Sequence, residues 1–443
     1  MFKSNAKKRS YLCTPWKLDT LFCTVPDRLQ LMAEMNPDKE VIIFVGEKER
    51  VGVTYRDIVD GASSIARKMV TVGIQKNEIV AIHDDKSTSW LCNAIGAQMC
   101  GAWPLHISFN RRDGSDVADV LKRSGCKTVI TQPGDDDEYI HIMKNFVRFN
   151  DDGTISSKDV PCLNRIIFSK KPACLHNSIT FDDILPSGKS NLPEIEPEDI
   201  AAIFCSSGST GPPKLVPWSH FNLIAATMSM FEASDIKYGE SLFCDKTFGW
   251  IGGYPREMII GVQRVTNTTT FKEKSLGQIC DSTVKIINDE NCRHAVLYST
   301  TIVQIMKGNY MMKPLRTIIA TGGPISSKGS QLVGRLCEKF MNAYAATEVG
   351  VISLNGVTNE HEMKNYDTGK PIPDVEVKVV DTEGRLCEVG TVGEIYVRNR
   401  SSSTGHLHED KTGIKPTEWK DTGSKLGTLD TSQKMVIYLW QVE

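Results

Sequence analysis

The sequence predicts an α/β protein built from two mostly parallel α/β units and a small antiparallel β unit. Between residue 40 and about residue 350, short apolar runs of strand length alternate with helical patterns, the order that gives a parallel sheet covered by helices. A stretch rich in Pro, Ser and Gly from Pro186 to Pro197 reads as a seam between two such units. After residue 365 the period becomes two: Val375, Val377 and Val379 alternate with Glu376 and Lys378, and Ile395 and Val397 follow the same rule, as in half-buried antiparallel strands. A chain of 443 residues exceeds one ordinary core, so subdomains are expected over 1–190, 191–362 and 363–443.

Taken in order, Val41–Val45, Glu78–His83, Lys127–Thr131, Arg165–Ser169, Ile200–Phe204, Arg293–Tyr298 and Arg316–Ala320 read as strands. Between the first two, Ile58, Ala62, Ile65 and Met69 share one helical face. Ser219 is placed to cap a later helix whose face carries Phe221, Ile224, Met228 and Phe231. Ser401 to Gly405 reads as an exposed loop. The acidic run Asp135–Glu138 reads as a solvated turn rather than a metal site. His406 and His408 have ligand-like spacing but no partner cluster, so they read as a surface pair.

Composition narrows the function classes. With 40% hydrophobic and 24% charged residues the chain is globular, and a net charge of −2 gives no electrostatic reason to expect nucleic acid. No apolar stretch approaches the length of a membrane span. The N-terminus carries Lys3, Lys7, Lys8 and Arg9 without an apolar core behind them, so it is no secretory signal. Thirteen scattered cysteines without a Cys-x-x-Cys pair suit reduced thiols in a cytoplasmic compartment, with mitochondrial and peroxisomal addresses left open.

The most informative segment is Cys205-Ser206-Ser207-Gly208-Ser209-Thr210-Gly211-Pro212-Pro213-Lys214. Glycines let backbone N–H groups approach an anion closely. Successive amides form a nest of partial positive charge, the hydroxyls add donors and the lysine adds a full charge. Polyphosphate fits this equipment. Pro212 and Pro213 keep the loop from running straight into a helix, unlike the common nucleotide P-loop, so the loop itself must hold the phosphates. A Ser/Gly linker has similar composition, but the apolar run Ile200–Phe204 before it argues for a loop anchored on a buried strand.

This string resembles the phosphate loop of the AMP-forming acyl-CoA synthetases, luciferases and adenylation domains. Other segments are similar to that family in the expected order: Asn36–Lys39, Val53–Asp57, Gly101–Leu105, Thr321-Gly322-Gly323-Pro324, Tyr344-Ala345-Ala346-Thr347-Glu348, Thr368–Pro371 and Gly393–Ile395. The resemblance covers residues from about 20 to 438. It implies two doubly wound αβα lobes with a small β-barrel-like subdomain, and ATP-dependent activation of a fatty or aryl carboxylic acid to an acyl-adenylate with release of pyrophosphate. It assigns Ser206 to Lys214 to the β- and γ-phosphates, Thr347 to a phosphate oxygen, and Glu348 to Mg²⁺. Lys214, Thr347 and Glu348 are the implied catalytic residues. Tyr344 would stack on adenine, with Gly322 and Gly323 against its other face. The acyl pocket would lie between Phe248, Gly249, Trp250 and Gly252 and the strand ends near Ala320 and Val351. Many relatives carry a histidine or bulky aromatic about where Gly249 falls, a departure that points to a larger pocket.

Two further departures bear on turnover. Ser424 stands where the family has the aspartate that binds the ribose hydroxyls, and losing a charge-assisted hydrogen bond costs about 1.5–3 kcal/mol. Leu439 and Trp440 stand where relatives have Gly-Arg, and the chain stops at Glu443. On this reading the mobile C-terminal lid domain is absent, adenylation is slow and thioester formation with CoA fails. A splice form or incomplete gene model is then expected. The alternative is a pseudoenzyme that binds nucleotide or acyl group without turnover; oxidative luminescence through the same adenylate is a third reading.

Overall fold

The computed structural model describes residues 9–16, 19, 21–108, 113–134, 137–185, 191–206, 212–268, 275–308, 310–323, 325–359, 363–403 and 405–407, and the backbone of 414–415 and 424–425. Two large sheets dominate it. The first, seven-stranded among the described residues, runs in the order Ile179–Thr180, Arg165–Phe168, Thr128–Thr131, Ile79–His83, Trp103–His106, Ile200–Cys205, Leu215–Ser219. Its neighbours are parallel except the last pair, which is antiparallel. Its central strands are apolar on both faces, with Val80, Ala81, Ile82, Val129 and Ile130 fully buried, as expected of a parallel sheet covered on both sides.

The second sheet has nine strands among the described residues, in the order Lys370–Pro371, Gly350–Val357, Cys337–Ala346, Leu315–Thr321, His294–Tyr298, Ser241–Cys244, Gln263–Asn267, Glu40–Val45, Arg50–Thr54. Sheet membership is not contiguous in sequence. The early hairpin 40–54 joins the second sheet through Gln263–Asn267, while Ile200–Cys205 and Leu215–Ser219 close the first. The sheets therefore interleave across residue 190. Short hydrophobic strands carry no label for which sheet they join, and the parallel ladders are all long-range.

Helix starts follow the local chemistry. Thr54 caps Tyr55–Thr71 in a reciprocal capping box with Asp57, and Ile58, Ala62 and Met69 are buried along its inner face. Ser219 caps His220–Ser234 by accepting from the Asn222 N–H. That helix is buried on nearly every side, so its apolar stripe is broader than the sequence face suggested.

A third, antiparallel sheet orders Tyr11–Cys13, Glu376–Val380, Glu394–Arg398 and Ser424–Lys425. Val377 and Val397 face inward, and Glu376 pairs outward with Arg398 at 2.6 Å. The segment Ser401–Ser403 is not an exposed loop: all three serines are buried, because their polar groups find partners inside, Ser403 Oγ with the Pro217 carbonyl at 2.7 Å and Ser402 Oγ with Asn399. Among the described residues no helix is long and apolar enough to cross a membrane. S219A should lower stability by about 1 kcal/mol through loss of the cap, measured by urea unfolding at matched protein concentration.

Candidate active site

Two hairpin turns from different sheets meet to form the site. The phosphate loop closes the antiparallel pair Ile200–Cys205 and Leu215–Ser219, with Cys205 opposite Leu215 and the Ser206 N–H donating to the Lys214 carbonyl at 2.9 Å. Lys214 thus sits at the mouth of a hairpin, its side chain exposed. Ser207, Gly208, Ser209, Thr210 and Gly211 lie outside the described residues. The Thr347-Glu348 motif is the turn between Cys337–Ala346 and Gly350–Val357, where Ala346 pairs with Gly350. It is a tight strand reversal and not a helix start; Gly350 at φ +74° supplies the left-handed turn residue.

Three contacts lock the turns together. The fully buried Trp218, four residues beyond Lys214, donates its indole N–H to the Thr347 carbonyl at 3.1 Å. Ser403 donates its N–H to the Glu348 carbonyl at 2.8 Å and its hydroxyl to Pro217. His406 then lies against the Glu348 carboxylate, Nε2 to Oε1 3.4 Å. His406 is therefore not a surface residue without partners; His408 lies outside the described residues. Neither Trp218 nor Ser403 was singled out from sequence, and His406 was read only as half of a surface pair, since a serine run and a lone pair of histidines do not reveal long-range partners. The one available hint was position, Trp218 lying on the strand that leaves the phosphate loop.

Opposing effects set the charge of Glu348. Burial pushes its carboxyl up, but the hydrogen bond from His406 and the nearby charge of Lys214 outweigh it and hold the group below the ordinary glutamate range. Its side chain remains 22% exposed. A carboxylate kept ionised, within electrostatic reach of an otherwise unpaired exposed ammonium among the described residues, is the donor set a metal-bound polyphosphate requires.

On the far side of the cleft, the strand Leu315–Thr321 ends in Gly322, at φ +86°, and Gly323, whose carbonyl accepts from Ser299 Oγ at 2.9 Å. A side chain at 322 would point at Tyr298, Lys246 and Trp250. Of the expected pocket residues, Trp250 and Val351 are partly exposed. Ala320 and Phe248 are buried in the cores, Phe248 tilted against Phe44 and edge-on to Trp90. Gly249 does not open a larger pocket: a Cβ there would meet Ser108 Cβ at 3.0 Å and the Ile107 carbonyl at 3.2 Å. Gly252 lies over the Trp250 ring. Tyr344 departs from its expected role. Its ring is 6% exposed among Val349, Ile352 and Val375, and burial pushes its hydroxyl up to about 12, so no open face is left for an adenine. Ser424 pairs by its backbone with Val397 on the edge of the third sheet.

Because the Glu348 carboxyl titrates lower in the folded chain than in the unfolded one, its ionised form adds stability at neutral pH. That contribution is lost as pH falls through the folded value. E348Q should accordingly be less stable than the unsubstituted chain at pH 7, with the gap closing below about pH 4.3, read from urea unfolding across pH.

Comparison with known proteins agrees with this geometry. The family model described as AMP-binding enzyme matches residues 29–407. Acyl-CoA ligase sidI of Aspergillus fumigatus is 22% identical, covering 93% of this chain and 72% of its own length. The mitochondrial medium-chain acyl-CoA ligase ACSF2 of Bos taurus is 23% identical, covering 90% and 68%. Among solved structures, the anthranilate CoA ligase AuaEII in complex with anthranoyl-AMP superposes with a TM-score of 0.72 at 15% identity, covering 88% of this chain and 72% of that one. The luciferase-like enzyme of the mealworm Zophobas morio gives 0.73 at 17%, covering 89% and 90%. With a family model spanning most of its length and the phosphate hairpin facing the Thr-Glu turn, the chain belongs to the AMP-binding enzyme family.

Proposed function

We propose that this chain uses ATP to activate a carboxylic acid, forming an acyl-adenylate and releasing pyrophosphate. The observation that carries the reading is the joining of the hairpin that bears Lys214 to the Thr347-Glu348 turn through Trp218 and Ser403. A carboxylate is already a nucleophile at pH 7, so the chemistry needs no general base. The barrier is electrostatic, an anion approaching a polyanion. Lys214 offsets charge on the phosphate tail, and the Thr347 hydroxyl donates to a phosphate oxygen. Glu348 would hold Mg²⁺, which when bound would offset negative charge on the phosphates; His406, against the carboxylate at 3.4 Å, helps to keep it ionised.

The Gly322-Gly323 turn supplies the adenine side, while Tyr344 supports the strand beneath the Thr347 turn. A fatty or aryl acid as substrate is supported by the names of the relatives, acyl-CoA and anthranilate CoA ligases.

Hydroxylamine trapping tests it. With a panel of fatty and aryl acids, ATP and Mg²⁺, hydroxamate should form, and K214A should lower its rate at least about 10²-fold. ATP binding without hydroxamate from any acid would instead identify a binding protein without turnover.

A further inference from the structure

Lys246 is a buried cation without a hydrogen-bonding partner among the described residues. It follows the strand Ser241–Cys244, at the carboxyl end of a central parallel ladder where ligands of open α/β sheets bind. The residue is 0% exposed, and among the described residues its Nζ meets no acceptor. Nζ lies 3.4 Å from the Tyr298 ring centroid and 5.2 Å from that of Trp250, and the two rings are nearly parallel, at 7°. It also lies 3.6 Å from where a Cβ on Gly322 would stand.

The other cations nearby keep acceptors of their own, although Arg264 Nε and Arg256 Nη1 also lack a partner among the described residues. Lys86 donates to the Asp245 carbonyl, Thr266 Oγ1 and Asn267 Oδ1 at 2.6–3.1 Å. Arg264 donates to the carbonyls of Gly253, Cys244 and Lys246 and pairs with Glu257 at 3.4 Å. The buried Asp245 carboxylate makes no hydrogen bond among the described residues and acts on Lys246 through its charge alone, leaving the N–H groups of the ammonium without an acceptor. Burial draws the ammonium down to about 8, which still leaves it charged at neutral pH. Aromatic faces attract a cation but supply no acceptor for its three N–H groups. A plain alkyl or aryl tail in this pocket would leave those donors desolvated and unmade.

We propose that Lys246 receives a second anionic group on the acid activated here, so that dicarboxylic acids are preferred over matched monocarboxylic acids. The inference rests on the reading of the site as a carboxylate-activating one. The Gly322 turn beside Lys246 and the Thr347 turn follow neighbouring strands; with Ala320 opposite Asn342, Gly322 is level with Tyr344, three residues before Thr347, so the two anionic groups of one acid can address both turns.

Calorimetric titration of the full chain, with and without ATP, tests this using malonate, succinate and glutarate against propionate, butyrate and valerate. The expected result is affinity for a dicarboxylate at least about tenfold above its monocarboxylate partner, the gain of one charge-assisted hydrogen bond. In K246M that ratio should fall to near one, with folding of the variant checked by its Tm. K246R, which keeps the charge, should retain a ratio above one and so separate charge recognition from packing.

Monocarboxylates binding as tightly as dicarboxylates, or K246M weakening both classes equally, would overturn the assignment of Lys246 while leaving the activating site intact. Failure to bind ATP would overturn the activating site itself, and this inference with it.

Discussion

One indole N–H holds the site together. The phosphate hairpin belongs to the seven-stranded sheet and the Thr347-Glu348 turn to the nine-stranded one, so nothing in either sheet's own ladder fixes their separation. Trp218 bridges them directly, its ring buried and its Nε1 on the Thr347 carbonyl. A tryptophan suits this position because a large rigid ring brings apolar contact and one directed donor together. Ser403 repeats the arrangement from a third segment, bonding the Pro217 carbonyl on one hairpin and the Glu348 carbonyl on the other. Backbone carbonyls at turns are the groups that sheet ladders leave unpaired, so the same bonds that satisfy those oxygens set the distance between Lys214 and Glu348.

That distance governs the electrostatics. Glu348 lies deep enough for burial to disfavour its charge, yet His406 and Lys214 restore it. The contact with His406 is a single one at 3.4 Å, weaker than the bidentate pair an arginine would make at the same place, so the carboxylate is kept ionised without being locked to one partner.

Much of this was legible in the residues. Strands such as Ile79–His83 and Leu315–Thr321 stand where apolar runs of the right length stand, and Ser219 caps the helix it was expected to cap. The segment Ser206–Lys214 stood out because its glycines, hydroxyls and lysine are continuous in sequence, and its described ends are paired as expected of a loop following a buried strand. What stayed hidden depends on long-range pairing. Trp103–His106 contains a proline and did not read as a strand, yet it is paired on both sides by its neighbours. That Thr347-Glu348 forms a hairpin reversal was not read from the sequence, because hairpin turns and helix caps draw on the same residues. Ser401–Ser403 looked solvated because composition does not reveal that the acceptors for those serines come from residues 217 and 399. The Asp245-Lys246 pair did carry a signal, two charges immediately after an apolar strand, though only the surrounding rings show that the lysine is enclosed.

The interleaving of the sheets also constrains how the chain is made. Ile42 pairs with Arg264 and Leu12 with Val377, so the first strands to leave the ribosome wait for partners synthesised some 220 and 365 residues later. Until then the apolar ribbon Glu40–Val45 has an open edge, the kind of surface that seeks any available strand. Biosynthesis of this protein is therefore a race between chain elongation and intermolecular pairing at that ribbon, and its yield in a cell depends on what shields the ribbon during translation.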